Sequence, residues 1–224
     1  MPPRPKVFTS SIGTKVLISL TGLCLILFLI LHLAGNLLIF LGPATFNGYS
    51  HKLVSNPLLG PLEILLLAVF LLHLYKAIRM WLANRGARPV PYARKTWAGH
   101  TSRKSLSSST MILSGAVILL FVVLHLRMFK YGPEYSVPGT NIRDLYTLEM
   151  QIFSNPLTVG FYVLCMLLIG SHLWHGSSSA FQSLGVDQPR YARYIRSAGR
   201  AFALIIAAGF IVIPIWVYLV GGRS

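Results

Sequence analysis

The sequence predicts an all-α membrane protein with five transmembrane helices, four of them forming a bundle around buried histidines, and an N-terminus in the cytoplasm. Composition, run length and charge placement carry that prediction. Of 224 residues, 54% are hydrophobic and 11% charged. The apolar residues gather in five runs, at about 14–41, 59–82, 106–126, 157–182 and 201–220. Each run can cross a bilayer, which takes ~20 apolar residues. A span isolated in lipid satisfies its backbone groups only as a helix. Little chain is left for a soluble domain, so residues 1–224 read as a single membrane domain.

The net charge of +15 could suggest nucleic acid, but its placement points to a membrane. With the N-terminus inside, fifteen of the 20 lysines and arginines fall near the inner side and five near the outer. That excess sets the orientation by the positive-inside bias, which also puts the C-terminus outside. A basic rim attracted to anionic lipid accounts for most of this charge, and a docking surface for a cytoplasmic partner for the rest.

The first run follows a Pro-rich basic tail and is too long for a signal peptide's apolar core, so it reads as a retained helix. It contains Ser19, Gly22 and His32. The outer loop behind it is punctuated by Pro43, Pro57 and Pro61, with a short helix expected around Phe46–Val54. The second run returns inward past His73 to Trp81, whose amphipathic ring suits the headgroup layer. Residues 83–105 are the most basic inner loop. The third run leads outward through His125 to a loop in which Arg143–Phe153 has the apolar spacing of an interfacial helix. The fourth starts behind Asn155–Pro156 and carries His172, with His175 one turn on. The fifth has no charge and no histidine, and Pro214 should kink it. No repeat at a fixed residue period stands out. Cys24 and Cys165 lie inside spans with no CxxC, which excludes a disulfide framework and a covalent c-type haem and leaves both as small core hydrophobes.

A histidine deep in a bilayer is expensive without a partner, so four of them ask for a common cause. At ~1.5 Å per residue, His32 and His125 lie roughly 27 and 28 Å up their outgoing helices. On the same scale His73 and His172 lie roughly 21 and 22 Å down their incoming ones. The four sort into two level couples, one toward the outer side and one toward the inner. Two imidazoles from facing helices are the donor set of a six-coordinate b-type haem, whose iron then has no open position and passes electrons. Gly22 and Gly115 each precede their helix's histidine by ten residues, near the inner couple's level, and suit close approach of a flat macrocycle or ordinary helix packing. His172 is preferred to His175 as the ligand because His175 sits nearer the inner interface. A histidine-dependent ion or metal transporter is one competing reading, although the only acidic residue expected near a span is Glu63. A purely structural anchor is the other.

The stretches TGLCLILFLILHLAGNLLIF, FNGYSHKL, EILLLAVFLLHLYKAIR and RDLYTLEMQIFSNPLTVGFYVLCMLLIGSHLWHGSSSAFQSLG together resemble the di-haem cytochrome b558-type membrane subunit of succinate:quinone oxidoreductases, the succinate dehydrogenases and fumarate reductases. The resemblance spans nearly the whole chain. It implies a multi-pass subunit of a bacterial cytoplasmic membrane with two haem b groups, the outer (distal) held by His32 and His125 and the inner (proximal) by His73 and His172. It implies a flavoprotein partner that oxidises succinate, an iron–sulfur partner that feeds the inner haem, and a quinone acceptor, menaquinone in this branch. No flavin motif or dicarboxylate chemistry is expected on this chain. Ser19 matches a position near a proximal haem propionate, while Gly170 stands where some relatives have a proton-transferring glutamate. From their charge, Arg79, Arg103 and Lys104 are candidate propionate partners, and serve equally as plain inner-side charge. Glu63, Tyr49 and His51 could supply protons and hydrogen bonds to a quinone on the outer side. An inner pocket near Ser19, Arg94 and Trp97 is the competing placement.

Overall fold

The computed structural model describes residues 10–87, 106–186 and 189–221. Over them the chain is all-helical: α1 Ser11–Asn36 with a 3-10 extension to Leu41, α2 Pro43–Val54, α3 Leu59–Gly86, α4 Leu106–Ser109, α5 Met111–His125 continued by a π-helical turn to Lys130, α6 Leu145–Ile152, α7 Pro156–Ser183 and α8 Pro189–Gly221. Five helices are long and apolar enough to cross a membrane: α1 with its extension, α3, α5 with its π turn, α7 and α8. The chain has the architecture of a multi-pass membrane protein.

The termini of these helices follow local chemistry. Ser10 Oγ caps α1 by accepting from Gly13 N at 3.0 Å. Asn155 caps α7 by accepting from Leu157 N at 2.9 Å, with Pro156 at the first helical position, where a missing N–H costs nothing. Gly42 turns the chain from α1's extension into α2 at φ 91°, a left-handed conformation that favours glycine. Two boundaries differ from the sequence expectation. The third run is broken at Thr110 (φ −102°, ψ 7°), so its spanning helix starts at Met111 and α4 is a separate turn. The fifth helix starts at Pro189 because Arg190, Arg193, Arg196 and Arg200 recur every three or four residues, which puts them on one helical face. Ala192 and Gly199 are buried on another.

α1 packs on α3 and α7, α5 packs on α7, and α3 meets α5 only lightly. That order closes a four-helix ring in which α1 stands diagonally opposite α5, and α3 opposite α7. The tightest seam is α7 with α8. It is built on small residues, as helix association in lipid requires, because only they let backbones approach. A Cβ added at Gly170 would lie 2.8 Å from Ala207 Cβ, and one at Gly199 would lie 2.6 Å from Ser177 Oγ. The buried core therefore sits between α1, α7 and α8, on Leu33, Tyr162, Met166, Ile206 and Val217, while α3 buries none of its residues. Pro214 lies inside α8 with its side chain fully buried.

At the end that the charge asymmetry assigns to the outside, α2 packs on α6. Asn47, buried on α2, donates to Asp144 Oδ1 at 2.8 Å and accepts from Tyr146 N at 3.0 Å. Asp144 in turn caps α6 through Thr147 N at 2.9 Å. Arg143 donates to the carbonyls of Phe129 and Lys130, tying this loop to the end of the π turn.

The helices also reveal a repeat that a fixed-period search misses. The pattern Thr21–Gly22, Phe28, His32 on α1 recurs 93 residues later as Ser114–Gly115, Phe121, His125 on α5. Ser55–Asn56–Pro57–Leu58 followed by His73–Leu74 on α3 recurs 99 residues later as Ser154–Asn155–Pro156–Leu157 followed by His172–Leu173 on α7. The turn chemistry repeats as well, since Asn56 Oδ1 accepts from Leu58 N at 2.9 Å as Asn155 does from Leu157 N. The unequal offsets, caused by a loop six residues longer in the second copy, hide the relation along the sequence. Both copies run out and back in the same sense, with α8 added after them.

Candidate haem-ligand pairs in the bundle

The diagonal arrangement brings the four histidines into two facing pairs. His32 on α1 and His125 on α5 have ring centroids 5.8 Å apart and planes 87° from parallel. Each ring is backed one turn earlier by the repeated phenylalanine: Phe28 stacks on His32 at 5.2 Å and Phe121 on His125 at 5.5 Å. Phe129 lies 5.1 Å from His125, and Phe210 of α8 lies 5.7 Å from His32. The fifth span is thus more than a scaffold, because it supplies one wall of this pair. His125 Nδ1 meets Tyr162 Oη at 3.3 Å.

The second pair lies about three turns toward the other end, level with Thr21 and Ser114. Thr21 Oγ1 is 3.0 Å from His73 Nδ1, and Ser114 Oγ is 2.9 Å from His172 Nδ1. The adjoining glycines face the same rings: a Cβ at Gly22 would lie 3.3 Å from His73 Cε1, and one at Gly115 3.7 Å from His172 Cε1. His73 and His172 lie within electrostatic reach of one another, and His175 is within reach of His172.

Across all four rings, every hydrogen bond among the described residues runs through Nδ1, and none through Nε2. Among the described residues no three His, Cys, Asp or Glu side chains converge on one point. The donor sets on offer are pairs of imidazoles, a poor match to a closed metal cage of three or four ligands.

The other sequence candidates scatter. Ser19 is buried with its hydroxyl donating to Lys15 O at 2.9 Å. Arg79 is exposed, its guanidinium 5.9 Å from the Tyr75 ring. Arg103 and Lys104, and the alternative inner-pocket residues Arg94 and Trp97, lie outside the described residues. Tyr49 packs under Gly35, His51 is exposed on α2, and Glu63 pairs with Lys130 where α3 passes the π turn. No hydrogen bond or ion pair among the described residues joins those three. Cys24 is exposed on the helix surface while Cys165 is buried, so only the second is a core thiol.

Two features escape the sequence reading. The hydroxyls of Thr21 and Ser114 stand out only through the repeat, which places each eleven residues ahead of a histidine and directly before a glycine. Glu149, expected on an interfacial helix, is instead buried on α6 with Oε2 unpartnered, so Glu63 is not the only acidic group beside the bundle. Burial pushes the Glu149 carboxyl up to about 8. Asp144 goes the other way: burial pulls it upward, but hydrogen bonds from Thr147, Asn47 and Tyr146 outweigh that and hold it below the usual carboxylate range. Comparison of the chain with protein-family models, with curated proteins and with solved structures finds no match.

Proposed function

We propose that this chain is the di-haem cytochrome b membrane subunit of a succinate:quinone oxidoreductase, carrying electrons from an iron–sulfur partner to a membrane quinone. One observation supports it above the rest: four imidazoles stand in two facing pairs, with every hydrogen bond on Nδ1 and Nε2 left for a ligand bond. The spacing of the outer pair supports the same reading. Two imidazoles sharing one metal, each nitrogen about 2 Å from it, would have centroids roughly 6 Å apart, and these are 5.8 Å apart. The inner pair offers the cradle instead, with glycines where a larger side chain would crowd the rings.

His32 and His125 would hold the distal haem and His73 and His172 the proximal one. Held by two histidines, each haem b would supply one-electron transfer and no oxygen or substrate chemistry. The protein's part is to exclude water and fix the rings. Phe28, Phe121, Phe129 and Phe210 do this at the outer pair, and the Thr21 and Ser114 hydroxyls at the inner. A quinone needs protons as well as electrons. At the α2–α6 end, Glu63 with its Lys130 partner is the exposed acid–base pair placed to exchange them with water, and Tyr49 and His51 remain candidates to orient the quinone there. The flavoprotein and iron–sulfur partners, the menaquinone acceptor and the bacterial cytoplasmic membrane belong to the same proposal.

Alanine variants test the pairing through haem content. His73→Ala and His172→Ala should each remove the same spectral component, and His32→Ala and His125→Ala the other. Loss of a common component from a cross-pair such as His32 and His73 would contradict the assignment. Full haem content in all four would overturn the reading altogether.

A further inference from the structure

The two inner histidines differ from the outer two in one respect: each lies within 3.0 Å of an aliphatic hydroxyl that is itself bonded to a carbonyl of its own helix. Thr21 Oγ1 donates to Leu17 O at 2.7 Å and Ser114 Oγ donates to Met111 O at 3.1 Å, both carbonyls of the preceding helical turn. A hydroxyl has a single proton. With it directed at the backbone, the oxygen can offer the neighbouring ring only a lone pair, so the ring nitrogen facing it must carry the hydrogen. For His73 a second contact requires the same assignment, because Nδ1 also lies 3.2 Å from Ile18 O, and a carbonyl can only accept. This pattern of partners assigns both rings the Nδ1–H tautomer, with the lone pair on Nε2.

We propose that Thr21 and Ser114 are positioning residues that set the tautomer of His73 and His172 and tune the haem those histidines hold. The proposal rests on the haem reading above. A neutral imidazole ligates through the nitrogen that lacks a proton, and an acceptor on its N–H raises its basicity. The more basic ligand favours the oxidised, more positive iron, so each hydroxyl holds the potential of the inner haem down. The two sites differ in strength. His73 keeps the Ile18 carbonyl if Thr21 is lost, whereas among the described residues His172 has only Ser114. The outer pair has only longer contacts: His125 meets the Tyr162 phenol, which donates to Met128 Sδ, at 3.3 Å, and His32 meets the Asn36 amide at 3.4 Å.

The experiment is a redox titration of the haems, followed optically, in membranes containing the full chain with Thr21→Val, Thr21→Ser, Ser114→Ala or Ser114→Thr. Ser114→Ala should raise the reduced-to-oxidised ratio of one haem component at fixed ambient potential by roughly threefold to tenfold, the range expected for one hydrogen bond. Thr21→Val should move the same component in the same direction by less. The other component should stay in place, and Thr21→Ser and Ser114→Thr should titrate as wild type. Should Ser114→Ala lose the inner haem while Ser114→Thr retains it, the hydroxyl is required and the proposal stands. Both haems retained in Ser114→Ala with unchanged potentials would overturn it, as would an equal shift in both components. A wild-type chain without haem would instead overturn the haem reading itself.

Discussion

Replacing Glu149 by glutamine should remove one carboxyl's contribution to the pH dependence of this protein's stability between weakly acidic and weakly alkaline solution. The carboxyl is 6% exposed, and its Oε2 has no hydrogen-bond partner. Burial raises its pKa from 4.5 to about 8. A raised folded-state value means that, between those two limits, the native state holds a proton that the unfolded chain releases. Stability is then fully present below about pH 4.5, falls as pH rises, and levels off above pH 8. At about 1.4 kcal/mol per pKa unit, the whole change is on the order of several kcal/mol. Glutamine has nearly the same shape and no charge to desolvate. The assay is thermal unfolding in detergent, followed by maleimide labelling of the buried Cys165 in a Cys24→Ser background that removes the exposed thiol. The unfolding temperature of Glu149→Gln relative to wild type should be clearly higher at pH 8.5 than at pH 5. Equal slopes in the two proteins would refute the reasoning.

Gly22→Leu should displace His73, because a Cβ there already comes within 3.3 Å of the ring. The inner haem should be lost, while Gly60→Leu, where a Cβ meets nothing within 4 Å, leaves haem content unchanged. Asp144→Ala removes the cap of α6 and the acceptor of Asn47 together. It should cost about 1–2 kcal/mol and loosen the α2–α6 contact, read as faster amide exchange in α6 than in α7.

Much of the architecture was legible because bilayer crossing imposes a length and a composition that any reader of the sequence can measure. His32 and His125 lie at nearly matching counts from the starts of their apolar runs, and the rise of a helix converts such counts into a shared level. What stayed hidden depends on contacts between segments far apart in the chain. The apolar spacing of Leu145, Leu148 and Ile152 marks a helix, but nothing in it says that Glu149 turns inward rather than to the interface. The α7–α8 seam rests on Gly170, Gly199 and Ala207, whose smallness is meaningful only when the facing helix is known. Thr21 and Ser114 looked like ordinary small polar residues in apolar runs until the helices placed them against His73 and His172. The duplication that would have singled them out was masked by six extra residues in one loop.

The most direct test of the account is a reduced-minus-oxidised visible spectrum of the chain purified from membranes, with the haem quantified per polypeptide. Two b-type haems per chain, titrating as two components, are expected. A colourless protein with its five helices intact would contradict it, and would leave the paired histidines as packing residues.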